Sequence, residues 1–179
     1  MWSLGALTLV GGTLAVAAVE VPEKFKTERY RSVTPDRIPG GTVVDQDSVQ
    51  LLRDNEAATL IDVMSATRFA TPGLEGEWIV AKPHYSIPNS IWLPNVGTGT
   101  LQPAMATYFE RELARVSKGN QEHPLVFFCE ADCWLGWNAA RRAILLGYQR
   151  VYWFPTGITE WPDLVEAVPI PIGEEAMSQ

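Results

Sequence analysis

The chain is poor in histidine, in cysteine and in clustered positive charge, and each shortage narrows what it can do. Nowhere does a run of Lys and Arg occur, and 14 basic against 21 acidic side chains leave a net charge of −7 over 179 residues, with a pI near 4.8. A surface of that sign repels nucleic-acid phosphates and anionic lipid, so neither is expected as a main partner. Small molecules or proteins are. Internal repeats and low-complexity tracts are missing too, and with 46% hydrophobic and 20% charged residues the composition is that of a folded domain rather than a disordered chain. The length suits one domain.

One long uncharged stretch is present. Residues 1–19, MWSLGALTLVGGTLAVAAV, carry no charge before Glu20 and end in the small residues Ala15-Val16-Ala17-Ala18. The pattern is that of a secretory signal, or of a membrane anchor if it is retained, and a membrane contact is expected only in the second case. Export places the protein in the periplasm or outside the cell, and its two cysteines in an oxidising compartment. Residues 20–41 are charged, contain proline and show no apolar period, as expected of a tether wrapping the domain surface, with no catalytic role.

From residue 42 to 168 short β-type runs alternate with helical patterns. Thr42–Val44 precedes an Asp-capped helical stretch, DQDSVQLLRDN, and Thr59–Val63 reads as a buried strand. Ser65–Ser86 is irregular. Ile91–Leu93 is a short strand, a helix enters through Pro103, and Leu125–Phe128 is another strand. A further helix runs to about Leu146, stopped by Gly147, with Ala140, Ala143, Ile144 and Gly147 at the spacing of a buried face. Val151–Trp153 closes the series, and residues 169–179 form a C-terminal tail. Strands separated by helices of about this length give an α/β domain with a mainly parallel sheet.

The most informative stretch is PLVFFCEADCWLGWNAARRAILLGY, in which a strand delivers Cys129 to its carboxyl end just before a helix. Ligands bind at that edge of an open α/β sheet, and the free amides and positive end of a helix dipole favour thiolate over thiol. Cys129 is therefore a candidate nucleophile. Cys133 follows four residues later, roughly 6 Å away if the loop winds like a helix, within reach of a disulfide. The pair is the candidate catalytic centre, and Glu130, Ala131, Asp132 and Trp134 are the candidate substrate contacts. Glu130 and Asp132 oppose the helix dipole and repel anions. No Arg or Lys lies between Cys129 and Asn138, so a guanidinium fork for phosphate is not expected there.

Four motifs in order resemble the rhodanese-like domain: Leu60-Ile61-Asp62-Val63-Met64, Ser86-Ile87-Pro88-Asn89-Ser90, Phe127-Phe128-Cys129 with Ala139-Ala140 downstream, and Thr156-Gly157-Ile158-Thr159-Glu160-Trp161. The resemblance spans about Gly40 to Leu164. It implies a three-layer α/β fold and a persulfide mechanism in which Cys129 takes a sulfane sulfur from a donor and passes it to an acceptor. The family's loop, Cys-x-x-Gly-x-Arg-Ser, is replaced here by Cys129-Glu130-Ala131-Asp132-Cys133-Trp134-Leu135, with Asp132 at the Gly position and no anion-binding Arg or Lys. A narrower resemblance is to the exported family named for a CXXCW motif, in practice Cys-x-x-x-Cys-Trp, and carried by Cys129, Cys133, Trp134 and the run Gly147-Tyr148-Gln149-Arg150-Val151-Tyr152-Trp153. That likeness implies a setting in catabolism dependent on pyrroloquinoline quinone (PQQ), with a quinoprotein dehydrogenase or cytochrome c as partner. No cofactor-specific motif for PQQ is present.

Three further groups have alternative readings. His84 and His123 are the only histidines. His123 precedes the strand that ends at Cys129, so His84 is the better third ligand if Cys129 and Cys133 hold Cu(I) for delivery; otherwise both are loop histidines. Asp62, at the end of a buried strand, either anchors the cysteine turn through its amides or relays protons. Trp134 and Trp137 sit three residues apart, so that one packs in the core while the other covers the thiols or offers a flat face to a partner.

Overall fold

The computed structural model describes residues 19–68 and 77–173. All but the last residue of the segment read as a signal or anchor lies outside them, as do residues 69–76 and 174–179. Among the described residues no helix is long and apolar enough to cross a membrane.

In chain order the elements are β1 (Thr42–Val43), α1 (Gln46–Asp54), β2 (Thr59–Asp62), β3 (Thr67–Arg68), β4 (Trp78–Ile79), β5 (His84–Ser86), β6 (Ile91–Trp92), α2 (Pro103–Ser117), β7 (Leu125–Phe128), α3 (Trp134–Leu145), β8 (Val151–Phe154), a 3-10 turn (Ile158–Glu160) and β9 (Val165–Ala167). Five strands form one sheet in the order β1-β8-β7-β2-β6, all parallel. The expected α/β class with a parallel sheet is the one observed.

The period of two along β7 explains the layers. Leu125 and Phe127 join α2 and α3 in the larger core, with Phe109, Leu113, Trp137 and Ala140. Val126 and Phe128 face the other way, onto Val49 of α1, Leu60, Phe154 and Trp161. Because both faces are covered, all four residues of β7 are fully buried, which is why the strand reads as an unbroken apolar run. Helix starts follow local chemistry where they can: Asp45 accepts the Ser48 N–H at 3.0 Å ahead of α1, and Pro103 opens α2 at a position where its missing N–H costs nothing.

Three expectations are revised. The irregular Ser65–Ser86 stretch contains β3 and β4, which pair as a hairpin, and β5, which pairs with β9 some eighty residues later. Strands of two or three residues are too short to show a period. Gly147 is exposed, not on the buried face of α3; with φ +97° it ends the helix, and the Tyr148 N–H returns to the Ala143 carbonyl. Residues 169–173, in the stretch expected to be a tail, also stay with the domain. The Ile170 N–H meets the Trp92 carbonyl, Tyr108 and Trp78 donate to the Ile170 carbonyl at 2.7 and 2.8 Å, and Ile172 is fully buried.

The segment before β1 is knitted in as firmly. Buried Asn138 of α3 accepts the Lys26 N–H at 3.0 Å and donates to the carbonyls of Lys26 and Gly97, each at 2.8 Å. Arg142 donates to the carbonyls of Val96 and Thr98 and lies over the Phe25 ring. Burial lowers the Arg142 pKa to about 10, which leaves it charged at neutral pH.

Candidate functional site

Parallel register sets the site. Asp62, Phe128 and Phe154 are neighbours at the ends of β2, β7 and β8, so Val63 and Cys129 emerge side by side at the carboxyl edge, with the Val63 N–H on the Phe128 carbonyl at 3.0 Å. Cys129 and Cys133 are joined as a disulfide with their Cα atoms 6.2 Å apart. The spacing expected from the sequence is therefore observed, and the two sulfurs are brought together. Cys133 is also the N-cap of α3, with no side-chain cap hydrogen bond.

The loop between them is tied down from both sides. On one side the Cys129 carbonyl accepts the Ile158 N–H at 3.0 Å, Glu130 bridges Gly157, and the Ala131 N–H donates to the Thr159 hydroxyl at 2.9 Å. A Cβ on Gly157, which has φ +49°, would lie 2.2 Å from the Cys129 carbonyl oxygen, so this position requires glycine. On the other side the N-terminal segment crosses the loop. Arg31 bridges Cys133 in antiparallel fashion, the Ser32 N–H donates to the Asp132 carbonyl, and the Trp134 N–H donates to the Tyr30 carbonyl, each at 2.9 Å.

These bonds correct the expectation of a ring of free amides around the thiol. The amides of Ala131 and Trp134 are taken, because residues 30–32 and Thr159 supply acceptors that no local pattern announces. Residues 30–32, in the stretch expected to wrap the domain surface, run along the cysteine loop.

The candidate substrate contacts divide. Asp132 is exposed at φ +54° and Ala131 is half-buried. Glu130 pairs with the Arg31 guanidinium, so a cation does reach the loop, from a segment one hundred residues away. Trp134 offers no free face: it is buried, meets Trp137 edge-on with ring centroids 5.5 Å apart, and donates its indole N–H to the Ser32 hydroxyl at 3.0 Å. Both tryptophans are core residues. An indole held over the helix start by the crossing segment is packing, not a docking surface.

Asp62 is fully buried and anchors its own turn rather than the cysteine turn. One carboxylate oxygen accepts the Met64 N–H at 2.8 Å; the other takes the Ser86 hydroxyl at 2.6 Å and His84 Nε2 at 2.7 Å. The His84 ring lies against Trp92, centroids 4.3 Å apart. Among the described residues no group of three or more His, Cys, Asp and Glu could hold a metal ion, and the His84 imidazole is engaged by Asp62. His123 sits at the opposite edge, bonded to the Thr59 hydroxyl at 2.8 Å, as its place before β7 implies.

The disulfide is nearly closed to solvent, with Cys129 2% and Cys133 1% exposed. Its cover at Cys129 is the Met64 thioether, 3.8 Å from Cys129 Sγ. Met64 is only half-buried and also lines a cleft of about 440 Å³ shared with Thr67, Ile79, Lys82, His84 and Trp92. Met64, an unbranched and flexible side chain, thus touches both this cleft and Cys129 Sγ.

A family profile described as Rhodanese-like domain matches residues 45–163. No curated protein matches the chain. Among solved structures, a threonine variant of EanB in complex with hercynine is 24% identical with a TM-score of 0.48, over 76% of this chain and 33% of its own. An EanB variant carrying a cysteine persulfide, in a tetrahedral intermediate state with ergothioneine, is 22% identical with a TM-score of 0.47, over 76% of this chain and 34% of its own. The chain matches about a third of the length of these proteins.

Proposed function

This chain belongs to the rhodanese-like domain family, and from that premise we propose that it is a thiol-based sulfur-transfer and redox protein whose working groups are Cys129 and Cys133. The observation that carries the reading is the second sulfur: the cysteine at the carboxyl end of β7 is bonded to the cysteine that begins α3.

In the reduced protein the positive end of α3 favours the Cys129 thiolate. That thiolate attacks the sulfane sulfur of a small donor, forming a persulfide and releasing the donor's remaining thiolate or sulfite-type group. Cys133, as thiolate, then attacks Cys129 Sγ; the Cys129–Cys133 bond forms as the terminal sulfur leaves as hydrosulfide. The dithiol has lost two electrons and the transferred sulfur has gained them. A small thiol or dithiol reductant restores the pair by exchange through a mixed disulfide. An acceptor thiol that reaches the persulfide before Cys133 does takes the sulfur instead.

The setting is also a proposal: export to the periplasm, beside a PQQ-dependent quinoprotein dehydrogenase or its cytochrome c. Residues 1–19 and the Cys129-x-x-x-Cys133-Trp134 pattern support it, and so does a disulfide, which persists in oxidising compartments. The genes neighbouring this one test it. Quinoprotein dehydrogenase genes alongside would support the setting, and sulfur-oxidation genes alone would move it elsewhere.

The chemistry is tested by intact-mass spectrometry with thiol trapping. The wild-type chain is expected to gain and lose two hydrogens reversibly. Cys133→Ser, incubated with a polysulfide, is expected to hold one additional sulfur atom on Cys129. A dithiol that forms no adduct and a disulfide reducible only in denaturant would refute the reading and leave a structural clip.

A further inference from the structure

The cysteine loop itself has no cation, yet one guanidinium stands over it. Arg31 is fixed by its backbone, which bridges Cys133, while its side chain stays 58% exposed. One arm of the fork pairs with the Glu130 carboxylate. The other lies 3.6 Å from Met64 Sδ, which in turn is 3.8 Å from Cys129 Sγ. The guanidinium is thus one thioether away from the reactive sulfur, on the side where that sulfur is covered by a movable side chain.

From this placement we propose that Arg31 is the anion-recognising residue of the cysteine site, binding the carboxylate or sulfonate of a small sulfur substrate, with Glu130 as its built-in competitor. The proposal rests on Cys129 being the reactive thiol, as argued above. An arginine fork suits a planar or tetrahedral oxyanion, which it binds through two parallel N–H bonds. Arg31 is 58% exposed and Glu130 only 27%, so the guanidinium is the open side of the pair, and an incoming oxyanion competes with Glu130 for it from solvent. Without Arg31, Glu130 and Asp132 would leave the loop purely acidic and repel any anionic donor. With it, the loop admits an anion only when the guanidinium is taken from Glu130. Lys26 is engaged over the face of Trp134 at 5.0 Å.

The test uses the full chain, reduced, with two aromatic disulfides: the nitrobenzoate reagent bearing two carboxylates, and the neutral dipyridyl disulfide. With either, Cys129 thiolate expels one aryl thiolate to give a mixed disulfide. Cys133 then expels the second, so that one dithiol and one reagent yield the protein disulfide, two aryl thiolates and two protons. The readout is the ratio of the anionic to the neutral rate constant. Arg31→Ala is expected to lower that ratio about tenfold, Arg31→Lys to restore part of it, and Glu130→Gln to raise it about threefold, all three differences shrinking as salt screens the charges. The neutral reagent controls for folding and thiol access within each variant. If the ratio is the same in wild type, Arg31→Ala and Glu130→Gln while both reagents react, this inference fails and the proposed function stands. If the folded wild-type chain reacts with neither reagent, both fall.

Discussion

Two strand-to-helix turns open onto the same edge of the sheet and are closed in opposite ways. Between β1 and α1 the side chain of Asp45 caps the Ser48 N–H three residues on, and the hydrogen bond holds the Asp45 carboxyl below its usual pKa. Between β7 and α3 the cap position is occupied by Cys133, whose side chain is committed to Cys129. It therefore caps nothing, and the amide at the start of the helix is satisfied by Tyr30 from one direction while Thr159 holds the loop from the other. A turn that gives its capping residue to chemistry must borrow its hydrogen bonds from distant chain.

That contrast can be broken at several points, in decreasing order of effect. Gly157→Ala forces a Cβ against the Cys129 carbonyl at a φ that alanine resists, and should cost about 3 kcal/mol or prevent folding, as read by chemical denaturation. Asn138→Ala strips three hydrogen bonds that hold Lys26 and Gly97. The expected loss is about 2 kcal/mol, and hydrogen exchange should speed up at residues 26–34, upstream of the cysteine loop, while the amides of α1 stay protected. Asp45→Ala should lower stability slightly, less than Asn138→Ala does, and leave the reactivity of the cysteines untouched, because its cap is local.

The smallest effect is expected at the far edge of the sheet. Burial, then Arg150 and Lys118, hold the His123 pKa below its ordinary 6.5. The unfolded chain thus binds this proton more readily than the folded one, and the stability contributed by neutral His123 is present above pH 6.5 and lost as the pH falls toward the lower folded value. His123→Gln should flatten that part of the acid-stability curve, measured by thermal melting between pH 7 and 5, without altering the redox behaviour of the disulfide.

What the sequence discloses follows the same divide. Asp45 before DSVQLL, Pro103, the apolar run Leu125–Phe128 and the stop at Gly147 are local signals, and the elements form where those signals stand. The cysteine pair is legible because four residues of chain set its span. Residues 30–32 carry no local signal, since they hold the loop through backbone carbonyls and amides, which every sequence has, and through side chains whose partners lie about a hundred residues away. β5 and β9 are three residues each and find one another across the whole fold. Asn138 is the exception that was readable: a lone amide amid Trp137, Ala139 and Ala140 on a buried helix marks a polar group that must have partners. Arg31 reaches the loop only through the crossing of the N-terminal segment, which no local pattern marks.

The central claim is that the Cys129–Cys133 bond is made and broken within the folded domain. Equilibrating the full chain in buffers of graded dithiol and disulfide, and following both trapped thiols and tryptophan circular dichroism, tests it most directly. The account predicts a single reversible two-electron transition in which both cysteines change together and the native aromatic signal persists. A bond that resists reduction until that signal is lost would contradict it.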